Sequence, residues 1–277
     1  MPWRPSIDAE QLLGDLRRLA SPALAGRRTG SAGAEAARRL IEARFAGIGL
    51  QPIGAPGFRH PFGGEPAGIN LAGQLAGEDP AARWLVVLAH YDHLGEEAGE
   101  IFPGADDNAS GVAVLLAAAE ALARLRRRLP VLFVCPDAEE CEQAGSRALV
   151  ADPPVGLDRI ELVVNLDMLS RSAAGELWVA GTAHRPDLAP LAVRAAARSP
   201  VVVRLGHDRP DEGRDDWTED SDHAAFHAAG VPWLYFGVED HDDYHTPDDT
   251  FERIDVDFFL GAAATVVDLL GSFARRV

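Results

Sequence analysis

Leu85-Val86-Val87-Leu88-Ala89-His90-Tyr91-Asp92-His93-Leu94-Gly95 is an apolar run that ends abruptly in a histidine and an aspartate. The same pattern returns three times. Val131-Leu132-Phe133-Val134-Cys135 runs into Asp137, Glu139 and Glu140; Leu162-Val163-Val164-Asn165-Leu166 runs into Asp167; Trp233-Leu234-Tyr235-Phe236-Gly237 runs into an acidic loop and then Tyr244-His245. Short continuous apolar runs of this length read as buried strands of a largely parallel sheet. In open α/β sheets, ligands gather beyond the carboxyl ends of such strands. Four strands are therefore expected to deliver His, Asp and Glu to one sheet edge, where a metal would sit.

Working outward, helical spacing predicts helices over Asp8–Leu19, Ala34–Ala46, from Ser110 or Asn108 as N-cap to about Arg126, over Gly145–Ala151, Leu188–Arg198, Ser221–Ala229 and Phe258–Phe273. Further strands are expected at Ile69–Leu75, Glu176–Val179 and Val201–Leu205, and a Gly- and Glu-rich loop over Gly95–Gly104. Alternation of strands and helices with no repeat, low-complexity tract or linker predicts one α/β domain over residues 1–277, with a mixed, mostly parallel sheet flanked by helices on both faces. The acidic stretch from His207 to Asp222 reads as a solvated loop, with a substrate-facing lid as the alternative.

Composition narrows the function. Of 277 residues, 43 are Asp or Glu and 26 Lys or Arg, a formal net charge of −17. That argues against nucleic acid, whose binding rests on neutralised phosphates, and against an anionic membrane surface. Cys135 and Cys141 form no C-x-x-C pair and are expected to be reduced thiols. The N-terminus shows no apolar signal region, and no run reaches the roughly 18 apolar residues of a membrane span; Phe258–Ala274 comes closest and is interrupted by Asp268. A cytoplasmic protein is the expectation, with a trimmed leader left open.

The candidate ligands are His90, Asp107, Glu140, Asp167 and His245. Imidazole and carboxylate donors without thiolate suit catalytic zinc, with Co²⁺ or Mn²⁺ as substitutes. Five ligands are too many for one open zinc and suit two metals sharing a carboxylate. Glu139, beside Glu140, is left free to take a proton from a metal-bound water, whose pKa falls from about 15.7 towards 7. Asp92 is placed to accept the other ring N–H of His90. Asp106 could replace Asp107 as ligand, although it reads as a solvated or capping carboxylate, and Glu139 and Glu140 could exchange roles. His93 is expected to face the site without binding metal. His223 and His227 have i, i+4 spacing but lack the Glu of H-E-x-x-H, and read as structural. His60, His184, His207 and His241 read as loop or surface residues.

These residues give the chain a family resemblance. It resembles the di-zinc aminopeptidases that include bacterial leucyl aminopeptidase, metallopeptidase family twenty-eight. The resemblance lies in 89–95, 104–111, Ala138-Glu139-Glu140 with Gly145-Ser146, 165–168, Ser221-Asp222-His223 and 244–250, in order across about residues 26–255. It implies an eight-stranded mixed sheet and two zincs bridged by Asp107, one held by His90 and Asp167, the other by Glu140 and His245. It also implies Glu139 as general base and acid, Tyr244 as hydrogen-bond donor to the oxyanion, Asp222 as a supporting carboxylate behind the ligands, and peptides with a free N-terminus as substrates. The chain departs from many members at Cys141-Glu142-Gln143-Ala144 and has no room for an inserted protease-associated domain. The same scaffold leaves a single-zinc glutaminyl cyclase, a carboxypeptidase and a non-catalytic binding protein as alternatives. Phe226, Trp233 and the 207–222 loop are candidates for the side-chain pocket; the oligomeric state is not legible.

Overall fold

The four apolar runs are neighbours in one sheet. The structure, a computed structural model, describes residues 7–275. In chain order the elements are α1 (Ala9–Leu19), α2 (Ala32–Ile48), β1 (Arg59–Phe62), β2 (Gly68–Leu75), β3 (Trp84–Leu88), β4 (Gly95–Glu97), β5 (Glu100–Phe102), α3 (Gly111–Ala123), β6 (Val131–Cys135), α4 (Ala144–Ala151), β7 (Ile160–Leu166), β8 (Glu176–Ala180), α5 (Ala189–Ala196), β9 (Val202–Leu205), α6 (His223–Ala228), β10 (Trp233–Gly237) and α7 (Val256–Ala274), with short 3-10 turns between them. The eight-stranded sheet runs β1-β2-β6-β3-β7-β10-β8-β9. Its central four strands, β6, β3, β7 and β10, are mutually parallel. Their carboxyl ends therefore share one edge, as the sequence predicts. β2 is antiparallel to β6, and β8 to β10, so the flanks make the sheet mixed.

Why these runs are apolar on both sides follows from the layers. Along β3 and into Ala89, Leu85, Val87 and Ala89 face one core and Val86 and Leu88 the other, the alternation a pleated strand imposes. The larger core holds α1, α2, α3, α5 and α7; the smaller is covered by α4 and α6, through Leu149 and Phe226. α3 is apolar on nearly its whole circumference because it packs beneath α1 and α7 and against the sheet. α7 is long and apolar enough to cross a bilayer, yet 72% of its most apolar window is buried here. Its composition is that of a core helix.

The differences from expectation are local. α2 continues through Gly47 and is closed by Gly49 in the left-handed region. The 95–104 segment is not an open loop: β4 and β5 pair as a hairpin. That hairpin lies against Gly26, where a Cβ would come within 2.4 Å of the Gly95 and Phe102 carbonyl oxygens, at a φ of 65°. β1 carries Pro61 and only four residues, too little signal for a strand, but sits at the sheet edge where proline is tolerated. Both cysteines are free, Cys135 buried and Cys141 exposed.

Candidate metal centre

His90 follows β3 and is 1% exposed. Its Nε2 lies 3.2 Å from Asp167 Oδ1, at the end of β7, and 3.4 Å from Asp107 Oδ1. The other oxygen of Asp107 lies 3.0 Å from His245 Nε2 and 3.6 Å from His93 Nδ1. Glu140, after β6, is 3.3 Å from His245 Nε2 and 2.7 Å from His93 Nδ1. Two donor groups result: His90, Asp107 and Asp167; and His93, Asp107, Glu140 and His245, the donors of each within 4.8 Å of one another. Asp107 belongs to both and offers one oxygen to each. All five residues expected as ligands converge, and His93 joins them more closely than its sequence position suggested.

The loop carrying Asp107 is built by its own motif. Gly104 turns the chain at a φ of 57°; a Cβ there would meet the Asp107 carbonyl oxygen at 2.1 Å and the His93 ring at 2.6 Å. Asn108 Oδ1 accepts the Gly111 N–H at 2.9 Å, capping α3, and its amide donates to the Leu166 carbonyl at 2.9 Å. Ser110 Oγ accepts the Leu169 N–H. These bonds tie the Asp107 loop to the end of β7, so Asp107 and Asp167 arrive together. Ser110 makes no side-chain cap; Asn108 serves instead.

Asp106 is not the solvated or capping carboxylate expected from sequence. It is fully buried and faces away from both donor groups, accepting the Ser170 N–H and hydroxyl at 2.6 and 2.8 Å and lying 3.2 Å from His241 Nε2. His241 is accordingly a partly buried loop residue that partners Asp106. His207 is buried, stacked on Trp217 at 3.8 Å, and His184 packs against His227 and Trp233. His223 Nε2 lies 2.8 Å from the Trp217 carbonyl oxygen, and neither His223 nor His227 belongs to either donor group.

Asp92 has a wider role than expected. His90 Nδ1 is 3.3 Å from the Asp92 carbonyl oxygen and 3.7 Å from its carboxylate. The carboxylate instead accepts the backbone N–H groups of Glu139 and Glu140 at 3.1 and 3.3 Å. One residue thus orients a histidine of one donor group and the turn bearing Glu140. Asp222 is fully buried, its carboxyl pushed up to about 7 by burial, with His90 opposing and Asp92 and Asp167 adding to the rise. Asp137 supports the β6 end, accepting from the Tyr91 hydroxyl at 2.6 Å, Thr29 at 2.8 Å and the Ile69 N–H at 3.0 Å. Arg27, 1% exposed, donates to the carbonyls of Leu19, Tyr91, Pro103 and Gly104. Burial lowers its guanidinium to about 10, with Asp107, Asp249, Asp92 and Glu140 opposing. Arg27 had no signal beyond its place in a turn-rich loop.

The donor set fits divalent metal. Burial, then the neighbouring Glu140, holds Asp107 above the usual carboxylate range; burial does the same to Glu139, with His90 opposing and Asp222, Asp167 and Glu140 adding to the rise. Packed carboxylates of this kind are costly unless compensated, and a dication reverses that balance. The Glu139 carboxylate makes no hydrogen bond to another described residue, and the two buried carboxylate oxygens of Asp222 likewise find no partner among them. Beside Asp167 opens a cleft of about 540 Å³, lined in part by Met168, Trp217, Tyr235 and Tyr244. Tyr244 stacks on His245 at 3.9 Å, and burial, with Asp107, Asp167 and Glu140, raises its hydroxyl pKa. Phe226 and Trp233, proposed as pocket walls, are instead in the smaller core; Trp217, Glu219, Asp215 and Asp220 of the 207–222 segment line the cleft. That segment is folded, not merely solvated: Asp208 is buried and accepts the N–H groups of Gly181 and Ala183.

The chain belongs to peptidase family M28, whose family model matches residues 70–270. It is 32% identical to aminopeptidase YwaD of Bacillus subtilis over 177 residues, covering 61% of this chain and 36% of that protein. It spans well under half the length of the curated relatives it matches. Among solved structures, a zinc aminopeptidase of Bacillus subtilis superposes with a TM-score of 0.78 at 17% identity, over 99% of this chain and 97% of that one. A glutaminyl cyclase of Porphyromonas gingivalis superposes with a TM-score of 0.77 at 18% identity, over 97% of this chain and 99% of that one. At such identities these two likenesses establish the fold.

Proposed function

We propose that this chain is a di-zinc aminopeptidase that removes the first residue from peptides with a free N-terminus. The observation that carries the reading is Asp107, whose two oxygens face two separate donor groups while Glu139 stays uncommitted beside them. His90 and Asp167 would hold one metal, Glu140 and His245 the other, and Asp107 both, with Asp92 and Asp222 supporting them from behind. When bound, two zincs supply a water acidic enough to attack near neutral pH and polarise the scissile carbonyl. Glu139 takes a proton from the attacking water and returns it to the departing amine. Its burial favours this, because a carboxyl held above its usual range is closer to working pH. Tyr244 remains a phenol and donates a hydrogen bond towards the oxygen that gains charge.

A glutaminyl cyclase activity is the second reading, since the P. gingivalis enzyme has this scaffold. Two complete donor groups sharing a carboxylate favour hydrolysis over it. The test is a panel of free-amine and N-acetylated peptides with zinc-loaded protein, alongside metal analysis of wild type and Asp107→Ala. Cleavage confined to free amines, with two metals per chain falling towards none in Asp107→Ala, supports the proposal. Cyclisation of N-terminal glutamine without peptide cleavage, or release of C-terminal residues, overturns it.

A further inference from the structure

The cleft beside Asp167 has a chemistry that the donor groups do not require. It is lined by Asp215, Glu219 and Asp220 from the 207–222 segment, and by Glu239 and Asp240 from the loop after β10. No Arg or Lys lines it among the described residues. Glu239 lies 3.0 Å from His207 Nε2, which fixes one loop to the other. The other four carboxylates form no ion pair among the described residues. All four are exposed. Trp217, Tyr235 and Tyr244 line the same cleft, and Trp217 packs edge-on to Tyr235 at 5.7 Å. The volume, about 540 Å³, lies in the range of small-molecule sites.

We propose that this cleft selects peptides whose first residue is arginine or lysine, the aliphatic stem lying against Trp217, Tyr235 and Tyr244 and the cationic head meeting Asp220, Asp240 and their acidic neighbours. This rests on the aminopeptidase reading and names its substrate class. Long basic side chains suit such a site because they combine an apolar stem with a charged tip, and aromatic faces attract cations. An apolar first residue would bury its side chain against the same rings but leave the carboxylates facing one another. That crowding is already visible: burial, with Asp216, Asp240 and Glu219, pushes the Asp220 carboxyl up. A cation between Asp220 and Asp240 relieves it, whereas an acidic first residue adds to it.

The experiment pairs side chains of like shape and unlike charge. Zinc-loaded protein is given arginyl and citrullinyl peptides, then lysyl and norleucyl peptides, and kcat/KM is measured at low and high salt. The charged member of each pair is expected to lead by about tenfold or more at low salt, less at high salt. In the double variant Asp220→Asn with Asp240→Asn, the ratio is expected to collapse to about threefold or less. Equal rates within each pair in wild type, or a ratio the double variant leaves intact, overturns the proposal. If no peptide is cleaved at all, the aminopeptidase reading falls by itself, and the cleft is tested by calorimetric binding of arginine amide against citrulline amide. Tighter arginine amide, weakened in the double variant, sustains the cleft's selectivity; equal affinity ends it.

Discussion

Asp249 carries the backbone of Asp107: its Oδ2 accepts the Asp107 N–H at 3.1 Å, while its Oδ1 takes the Asp106 N–H at 2.9 Å. Both bonds are buried, and Asp249 is fully enclosed. The residue shared by both donor groups is therefore held from behind by a carboxylate that touches neither group. Asp249→Ala leaves every proposed ligand in place but frees the loop. Zinc affinity, measured by competition with a chromogenic chelator, should fall about 10- to 100-fold. An affinity equal to wild type would show that the loop holds its shape without Asp249.

Arg27 has a different task. Its guanidinium supplies donors to four backbone carbonyls from three separate segments, including those on either side of the β4–β5 hairpin and the Tyr91 carbonyl beside His90. Arg27→Met would keep bulk while removing every donor, leaving buried acceptors unpaired at about 1–3 kcal/mol each where water does not replace them. Urea denaturation should register a loss on the order of 3 kcal/mol or more. A loss within about 0.5 kcal/mol, the scale of a surface change, would place the guanidinium outside the structural core.

What could be read from the chain, and what could not, follows from the range of the signals. The four central strands were legible because burial on both faces makes them continuous apolar runs, and their shared edge followed from that alone. His90, Asp107, Glu140 and Asp167 were legible because each lies just beyond such a run or inside a Gly-bounded turn; His245 follows the last run across an acidic loop. Arg27, Asp106 and His241 were not, because their partners lie far along the chain: His241 meets Asp106 across 135 positions and Arg27 meets Gly104 across 77. A buried charge carries no local periodicity, so sequence assigns it to solvent. The Gly95–Gly104 hairpin was missed for the converse reason: its three-residue strands are too short to alternate.

His223 ties stability to pH. It is fully buried, and burial lowers its pKa to about 4. Its Nε2–H donates to the Trp217 carbonyl at 2.8 Å, leaving Nδ1 to accept from the Asn165 amide at 3.4 Å. Protonating Nδ1 would set donor against donor. With the folded value below the unfolded value of 6.5, the unfolded chain binds more protons between the two. The contribution is thus complete above about 6.5 and is lost as pH falls towards 4, on the order of 3 kcal/mol at most. Stability measured from pH 7 to pH 4 should decline more steeply in wild type than in His223→Asn. Parallel profiles would mean that other groups dominate acid unfolding.

The central claim is that Glu139 moves the proton while other residues hold the metals. The most direct measurement is kcat on a free-amine peptide for Glu139→Gln, with zinc content determined on the same sample. The account predicts two zincs per chain, as in wild type, and a kcat lower by about 10²- to 10⁴-fold. A Glu139→Gln protein that keeps both zincs and wild-type kcat would contradict it, and so would one that loses activity only because it loses metal.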